Sequence, residues 1–343
     1  MSGYADAIVV DGLNVSNWES DRVFAHLVAG GVTAINATCA TWEGFAETCD
    51  AIAGWLRRFE RRSDAIRPVR SVADIHAAKR ENRVGIILGF QNAGPIENRL
   101  ERVGLFAALG VRVIQLTYHE RNLLGNGCFE RVDDGISNFG QMAIAEMNRH
   151  GVLIDLSHVG DRTTRETIDE SSQPVAVTHA NSRSYYDHPR NKPDEVLRAL
   201  AARGGVVGAT AISTFLRHGP ESSLGDFVDA IDSLVELIGI DHVAFGTDYT
   251  QDQPTEFWQY IGANQGSVYP STFDDGTRDW TEVQMYPPGL ETPERLPALW
   301  DALRHRGYTD ADVALVMGGN WLRLFEQVWP DPAAMATPNS PPP

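Results

Sequence analysis

Eight short apolar runs, each bounded by turn signals and followed by a stretch of helical periodicity, constrain this chain more than any other feature. They cover residues 7–10, 32–36, 84–90, 111–116, 152–156, 174–178, 205–211 and 242–246. Most lack the alternation of a half-exposed strand, as expected where both faces are covered. The intervening helical patterns span residues 21–29, 48–62, 72–80, 99–109, 139–150, 163–171, 194–202 and 224–237, and Gly110, Gly151 and Gly204 close three of them. Eight strand–helix alternations predict an α/β chain folded as a (β/α)8 TIM-type barrel. A doubly wound sheet would more often show five or six strands and a Gly-rich phosphate turn, and no GxGxxG or Walker sequence follows any of these runs.

The barrel is expected to be one domain over residues 1–329. Residues 249–291 interrupt it after the eighth strand, with Trp258, Tyr260, Tyr269, Phe273, Trp280 and Tyr286 among glycines and prolines. A segment this long and aromatic reads as a lid, an oligomer contact or a surface excursion packed on the barrel. Helical patterns follow at 293–306 and 309–329, and the Pro-rich residues 330–343 read as a disordered tail.

Composition narrows the partners. With 29 Lys and Arg against 46 Asp and Glu, the net charge is −17, a surface that repels phosphate backbones and anionic lipid headgroups. Neither nucleic acid nor membrane is expected as a partner. The N-terminus has no cationic start followed by an apolar stretch, and Cys39, Cys49 and Cys128 form no CxxC pair. A reducing, cytoplasmic setting is the expectation, and the glycosylation-like triplets at Asn14 and Asn36 are read as chance.

In a barrel of this type the chemistry sits at the carboxyl ends of the strands. Polar residues there are few: Gln91-Asn92 after the third run, Thr117-Tyr118-His119 after the fourth, Asp155 to His158 after the fifth, Thr178-His179 after the sixth and Thr247-Asp248 after the eighth. One histidine after a strand is more often structural than a ligand. Two on adjacent strands about 4.8 Å apart could meet one metal at roughly 2.0–2.1 Å each, so His158 and His179 are candidate ligands. Asp248 is a third ligand, a general acid/base or a capping carboxylate. Arg190, in the loop after the sixth run, is suited to bidentate capture of a carboxylate, or else bridges Asp187 or Asp194.

Five ordered blocks then carry a resemblance: IDLSHVG at 154–160, PVAVTHAN at 174–181, HPRNKPDEVLRALAARGGVVG at 188–208, DHVAFGTDY at 241–249 and GGNWLRLFEQV at 318–328. Together they resemble the membrane (renal) dipeptidase family, from about Asp11 to Val328. The resemblance implies a metal-dependent, amidohydrolase-like barrel, usually homodimeric, that cleaves dipeptides with a hydroxide bridging two zinc ions. It implies second-metal histidines at His158 and His179, a carboxylate-recognising arginine at Arg190 and a proton-handling aspartate at Asp248.

The departures concern the first metal. The family's Asp-Gly-His-Asn-Asp run reads Asp11-Gly12-Leu13-Asn14-Val15, its bridging glutamate falls on Gln91, and its substrate-binding histidine falls on Tyr118, with His119 next. Two dications about 3.5 Å apart repel by roughly 19 kcal/mol at an effective dielectric of 20, which only surrounding anionic ligands offset. A binuclear zinc centre is therefore not expected; one zinc or other divalent ion on His158, His179 and Gln91, or none, is. The leading expectation is a dipeptidase-family hydrolase acting on a small dipeptide-like or amide substrate with a free carboxylate. In it Asp248 moves the proton, Arg190 holds the carboxylate, and Tyr118 or His119 donates to the developing oxyanion. The competing expectations are a non-catalytic barrel that binds a small carboxylate and an enzyme of altered chemistry.

Overall fold

A computed structural model describes residues 3–264, 269–270 and 284–329, with backbone alone at 263–264 and 269–270. Eight parallel strands form the barrel: β1 (Val10–Asn14), β2 (Ala34–Ala40), β4 (Val84–Phe90), β5 (Val111–Gln115), β6 (Leu153–Asp155), β7 (Ala176–Val177), β8 (Val206–Ala209) and β9 (Val243–Phe245), paired in that order. The remaining strand between β2 and β4, β3 (Ile66–Pro68), pairs outside the ring with β4. The ring is drawn shut between β1 and β9 at its carboxyl end, where Val15 N donates to Tyr249 O at 2.8 Å and Asp248 N to Leu13 O at 3.0 Å. Helices α1 (Asp21–Ala29), α2 (Phe45–Arg61), α3 (Val72–Glu81), α4 (Glu101–Leu109), α5 (Asn138–Arg149), α6 (Asp161–Glu170), α7 (Asp194–Ala202) and α8 (Leu224–Ile238) return the chain between strands. The (β/α)8 expectation is met. The first strand lies three residues later than its apolar run, because Val10 to Asn14 rather than Ala7 reach the pairing register of β2.

Two apolar layers hold the barrel. The outer faces of the strands pack against the helices, with Ile35, Ile86, Ile114, Val177 and Phe245 buried against Leu27, Phe106, Leu197 and Ile231 among others. The inner faces contribute Val10, Ala34, Ile87, Val113, Leu153, Ala176, Val206 and Ala244, one residue per strand. That inner layer is completed by Trp321, Leu324 and Phe325 of α12 (Asn320–Val328), the indole of Trp321 donating to Phe245 O at 3.0 Å. Room for the indole exists because Gly12 and Gly208 face it; a Cβ at these positions would lie 2.6 and 3.0 Å from its ring.

Local signals start several helices. Ser71 with Asp74, Ser223 with Asp226 and Thr309 with Asp312 form capping boxes at α3, α8 and α11 (Asp310–Ala314). The helix expected over 309–329 is broken at 315–319, where Gly318 passes so close to Ile8 O that a Cβ would stand 2.4 Å from it. After β9, α9 (Thr255–Gly262) occupies part of the aromatic segment, and α10 (Leu296–Arg306) precedes α11. The side chains of Tyr269, Phe273 and Trp280 and the tail at 330–343 lie outside the described residues.

Candidate active site

Two buried carboxylates organise the carboxyl end of the barrel in the same way. Asp155, at the end of β6, accepts from Ser157 N at 3.0 Å, Ser157 Oγ at 2.6 Å, Thr178 N at 3.0 Å and Thr178 Oγ1 at 2.7 Å. Asp11, in β1, accepts from Thr247 N at 2.8 Å and Thr247 Oγ1 at 2.6 Å. Each therefore clamps the threonine that immediately precedes a candidate site residue on the neighbouring strand, His179 after Thr178 and Asp248 after Thr247. Burial lifts Asp11 to about 7 and raises Asp155, against the lowering effect of these donors. Sequence reading assigned neither aspartate a positioning role; the only signal was the repeated threonine before His179 and Asp248.

His158 and His179 do come together. Their Nε2 atoms are 2.9 Å apart, and His179 Nδ1 is 2.8 Å from Thr178 Oγ1. Tyr118 stacks on His158 with ring centroids 4.2 Å apart and touches His119 at 4.0 Å, while Trp42 meets it edge-on. Burial, then the charge of Arg190, holds His119, His158 and His179 well below the usual imidazole range, so all three are neutral near pH 7.

Asp248 sits in the left-handed region at φ 59, which a short polar side chain tolerates. Its backbone is held at both ends: the N–H reaches Leu13 O and its carbonyl accepts from Tyr286 Oη at 2.8 Å. Desolvation lifts its carboxyl to about 7, with Arg190 opposing and Asp11 and Asp155 adding to the rise.

One cavity gathers most of the predicted residues. Gln91, Tyr118, His119, His158 and Asp248 line it, beside Val15. Its remaining wall is largely apolar, formed by Ile212, Phe215 and Met285 with Phe257, Trp258 and Ile261 of α9. Sequence reading flagged the aromatic segment at 249–291 that supplies α9 and Met285, but missed Ile212 and Phe215, which carry no motif. Gln91 donates through Nε2 to Thr38 Oγ1 at 3.0 Å. His179 and Arg190 are fully buried and not among the lining residues.

Arg190 pairs with neither Asp187 nor Asp194, and among the described residues it has no carboxylate within salt-bridge distance. Its Nη1 donates to Ser157 O, its Nη2 to His179 O at 3.1 Å, and Nη2 lies 3.3 Å from His158 Nε2. Its Nε is buried without a partner, and the guanidinium stands over the Phe215 ring at 5.2 Å. Lys192, equally buried, donates to Val159 O and is pushed down to about 8 by desolvation.

A parallel eight-stranded barrel with its histidines and aspartate at the carboxyl end defines an amidohydrolase-like hydrolase fold. The profile of the family described as membrane dipeptidase (peptidase family M19) matches residues 9–261 and 277–337. The chain belongs to that family. An amidohydrolase from Pseudomonas aeruginosa is 39% identical, covering 95% of this chain and 97% of its own, at a TM-score of 0.90. A metallo peptidase from Rhodobacter sphaeroides, crystallised with a phosphinate mimic of the dipeptide L-Ala-D-Ala, is 20% identical over 94% and 100% at 0.77. The probable dipeptidase PvdM from Pseudomonas aeruginosa is 18% identical over 94% and 96% at 0.78. The last two share the fold.

The family is metal-dependent, so the donor set of this chain matters. Leu13 and Val15 put buried apolar groups at the mouth of β1, Gln91 is neutral, and among the described residues no three His, Cys, Asp or Glu side chains are arranged to hold a metal ion. These residues do not fit a paired zinc centre.

Proposed function

We propose that this chain is a hydrolase acting on a small dipeptide-like or amide substrate with a free carboxylate and an apolar body, working with at most one metal ion. The observation that carries the reading is the cavity itself, in which a carboxyl lifted to about 7 faces neutral hydrogen-bond donors within an apolar wall. Buried Arg190 and Lys192, without carboxylate partners among the described residues, place two cations behind His158 and favour an anionic substrate group. Phe215, Phe257, Trp258 and Met285 favour an apolar side chain beside the scissile bond.

No step in this reading passes through a metal. Ionised Asp248 accepts a proton from the attacking water as the water oxygen bonds to the amide carbon. Tyr118, whose phenol burial keeps protonated, or neutral His119 donates to the oxyanion that forms. The C–N bond then breaks and the leaving nitrogen takes the proton back from Asp248. The test is a dipeptide panel, including D-residues at the second position, assayed with added zinc and with chelator. Apolar dipeptides should turn over under both conditions; inactivity throughout would end the hydrolase reading.

The apolar Leu13 and Val15 favour a second reading, a non-catalytic barrel that binds a small carboxylate. Calorimetric binding of an apolar dipeptide without turnover would select it.

A further inference from the structure

We propose that the preferred substrates are N-acylated amino acids rather than dipeptides with a free amino terminus, because the cavity wall offers apolar surface to an acyl chain and no spare carboxylate to an ammonium group. The inference rests on the hydrolase reading and narrows its substrate class.

The charges on the wall carry the argument. Among the described residues that line the cavity, Asp248 has the one carboxyl group, and no lysine or arginine lines it. Val15 and Gln91 are on the wall where the family's motif has an aspartate and a glutamate. Gln91 spends its Nε2 on Thr38 Oγ1 at 3.0 Å, which leaves its carbonyl as a neutral acceptor. The carboxylates of Asp11 and Asp155 are turned to Thr247 and Thr178 and do not line the cavity. Glu19 and Glu43 line a neighbouring hollow that shares only Val15 and Phe257 with it, and both are engaged, Glu43 by Thr41 N at 2.5 Å and Glu19 by Arg58. Asp248 cannot serve an ammonium and the reaction together: its carboxylate takes the proton of the attacking water, and pairing with a cation would weaken it as a base.

An ammonium in this cavity is therefore a desolvated charge with no anion of its own, an unfavourable burial. Arg190, charged at every accessible pH, adds like charge from 3.3 Å behind the Nε2 of cavity-lining His158. Hydrocarbon in the same place is favoured, since Ile212, Phe215, Phe257 and Ile261 can cover it and each buried methylene strengthens binding about fourfold. Hydrolysis of such a substrate needs no further reactant. The water oxygen bonds to the acyl carbon, the C–N bond breaks and the nitrogen takes a proton, giving a carboxylic acid and a free amino acid.

The experiment compares N-propionyl-phenylalanine with glycyl-phenylalanine, each in D and L forms. The two share the scissile amide, the carboxylate and the size of the acyl group, and differ by a methyl against an ammonium. The full chain is assayed with chelator at pH 7, below the ordinary amine pKa of about 8. The propionyl compound should have the higher kcat/KM by at least about tenfold. Gln91→Glu, which puts a carboxylate on the wall at nearly the same shape, should narrow that ratio by at least about fivefold by improving the glycyl compound. A smaller wild-type ratio, or one that Gln91→Glu leaves unchanged, overturns the proposal; should that variant fail to fold, the wild-type ratio decides. Absence of cleavage for both compounds counts against the hydrolase reading alone, and calorimetric affinities of the same pair then decide this inference. There the propionyl compound should bind at least about tenfold more tightly, and a smaller difference or no binding of either overturns it.

Discussion

At the scale of single residues, Asp248 concentrates the chemistry and costs stability. Its carboxyl rises from an ordinary value of 3.8 to about 7, so the folded state holds the proton more tightly than the unfolded chain. The stability this provides is complete below about pH 4 and is lost as pH rises through 7. Asp248→Asn should therefore raise the melting temperature more at pH 8 than at pH 5. Because the side chain is only half-buried on the cavity wall, the gain is on the order of 1–2 kcal/mol. The same variant should lower kcat by roughly 100- to 10,000-fold. In the wild type, kcat/KM should climb with pH around a midpoint near 7, where a flat profile from pH 5 to 9 would remove Asp248 from proton transfer. Thr178 offers a separate check on positioning. Thr178→Val keeps the shape but strips Asp155 and His179 of a partner, and urea unfolding should show a loss of about 1–3 kcal/mol.

At the scale of elements, the strand ends were legible because βα geometry delivers polar residues to one rim; Tyr118, His119, His158 and Asp248 meet there as the strand order requires. The partners behind them were not. Nothing local distinguishes Asp11 and Asp155 from ordinary strand-end carboxylates until the neighbouring strand presents its threonine. The break at Gly318 was equally hidden, since it depends on the carbonyl of Ile8, more than three hundred residues away. The chain needs α12 for the barrel interior: small residues on the inner faces leave a space that Trp321 fills. Trp321→Ala should cost about 3–5 kcal/mol, read as a lower urea midpoint, because alanine leaves a cavity that the strands cannot close.

At the scale of the whole molecule, membership of the dipeptidase family supports a small substrate, and no described helix is long and apolar enough to cross a membrane. The family resemblance leads us to propose a homodimer. Light scattering should give about twice the 37.7 kDa of the chain, about 75 kDa, and a monomeric mass at micromolar concentration would remove that proposal. Most of the negative charge lies away from the site, where exposed pairs such as Arg165 with Asp169 contribute little to stability. Inside the rim two buried cations, Arg190 and Lys192, stand with three neutral imidazoles and the carboxyls of Asp11, Asp155 and Asp248.

The order of apolar runs and helical periods was enough to determine the barrel and its polar rim, because each is a property of residue type and spacing, while the loss of acidic and imidazole ligands at Leu13, Val15 and Gln91 was legible only through the family resemblance. Only the tertiary structure decided what Arg190 does. A guanidinium on a long side chain can reach several partners from one loop position, and which it meets depends on where β6 and β7 place the carbonyls of Ser157 and His179.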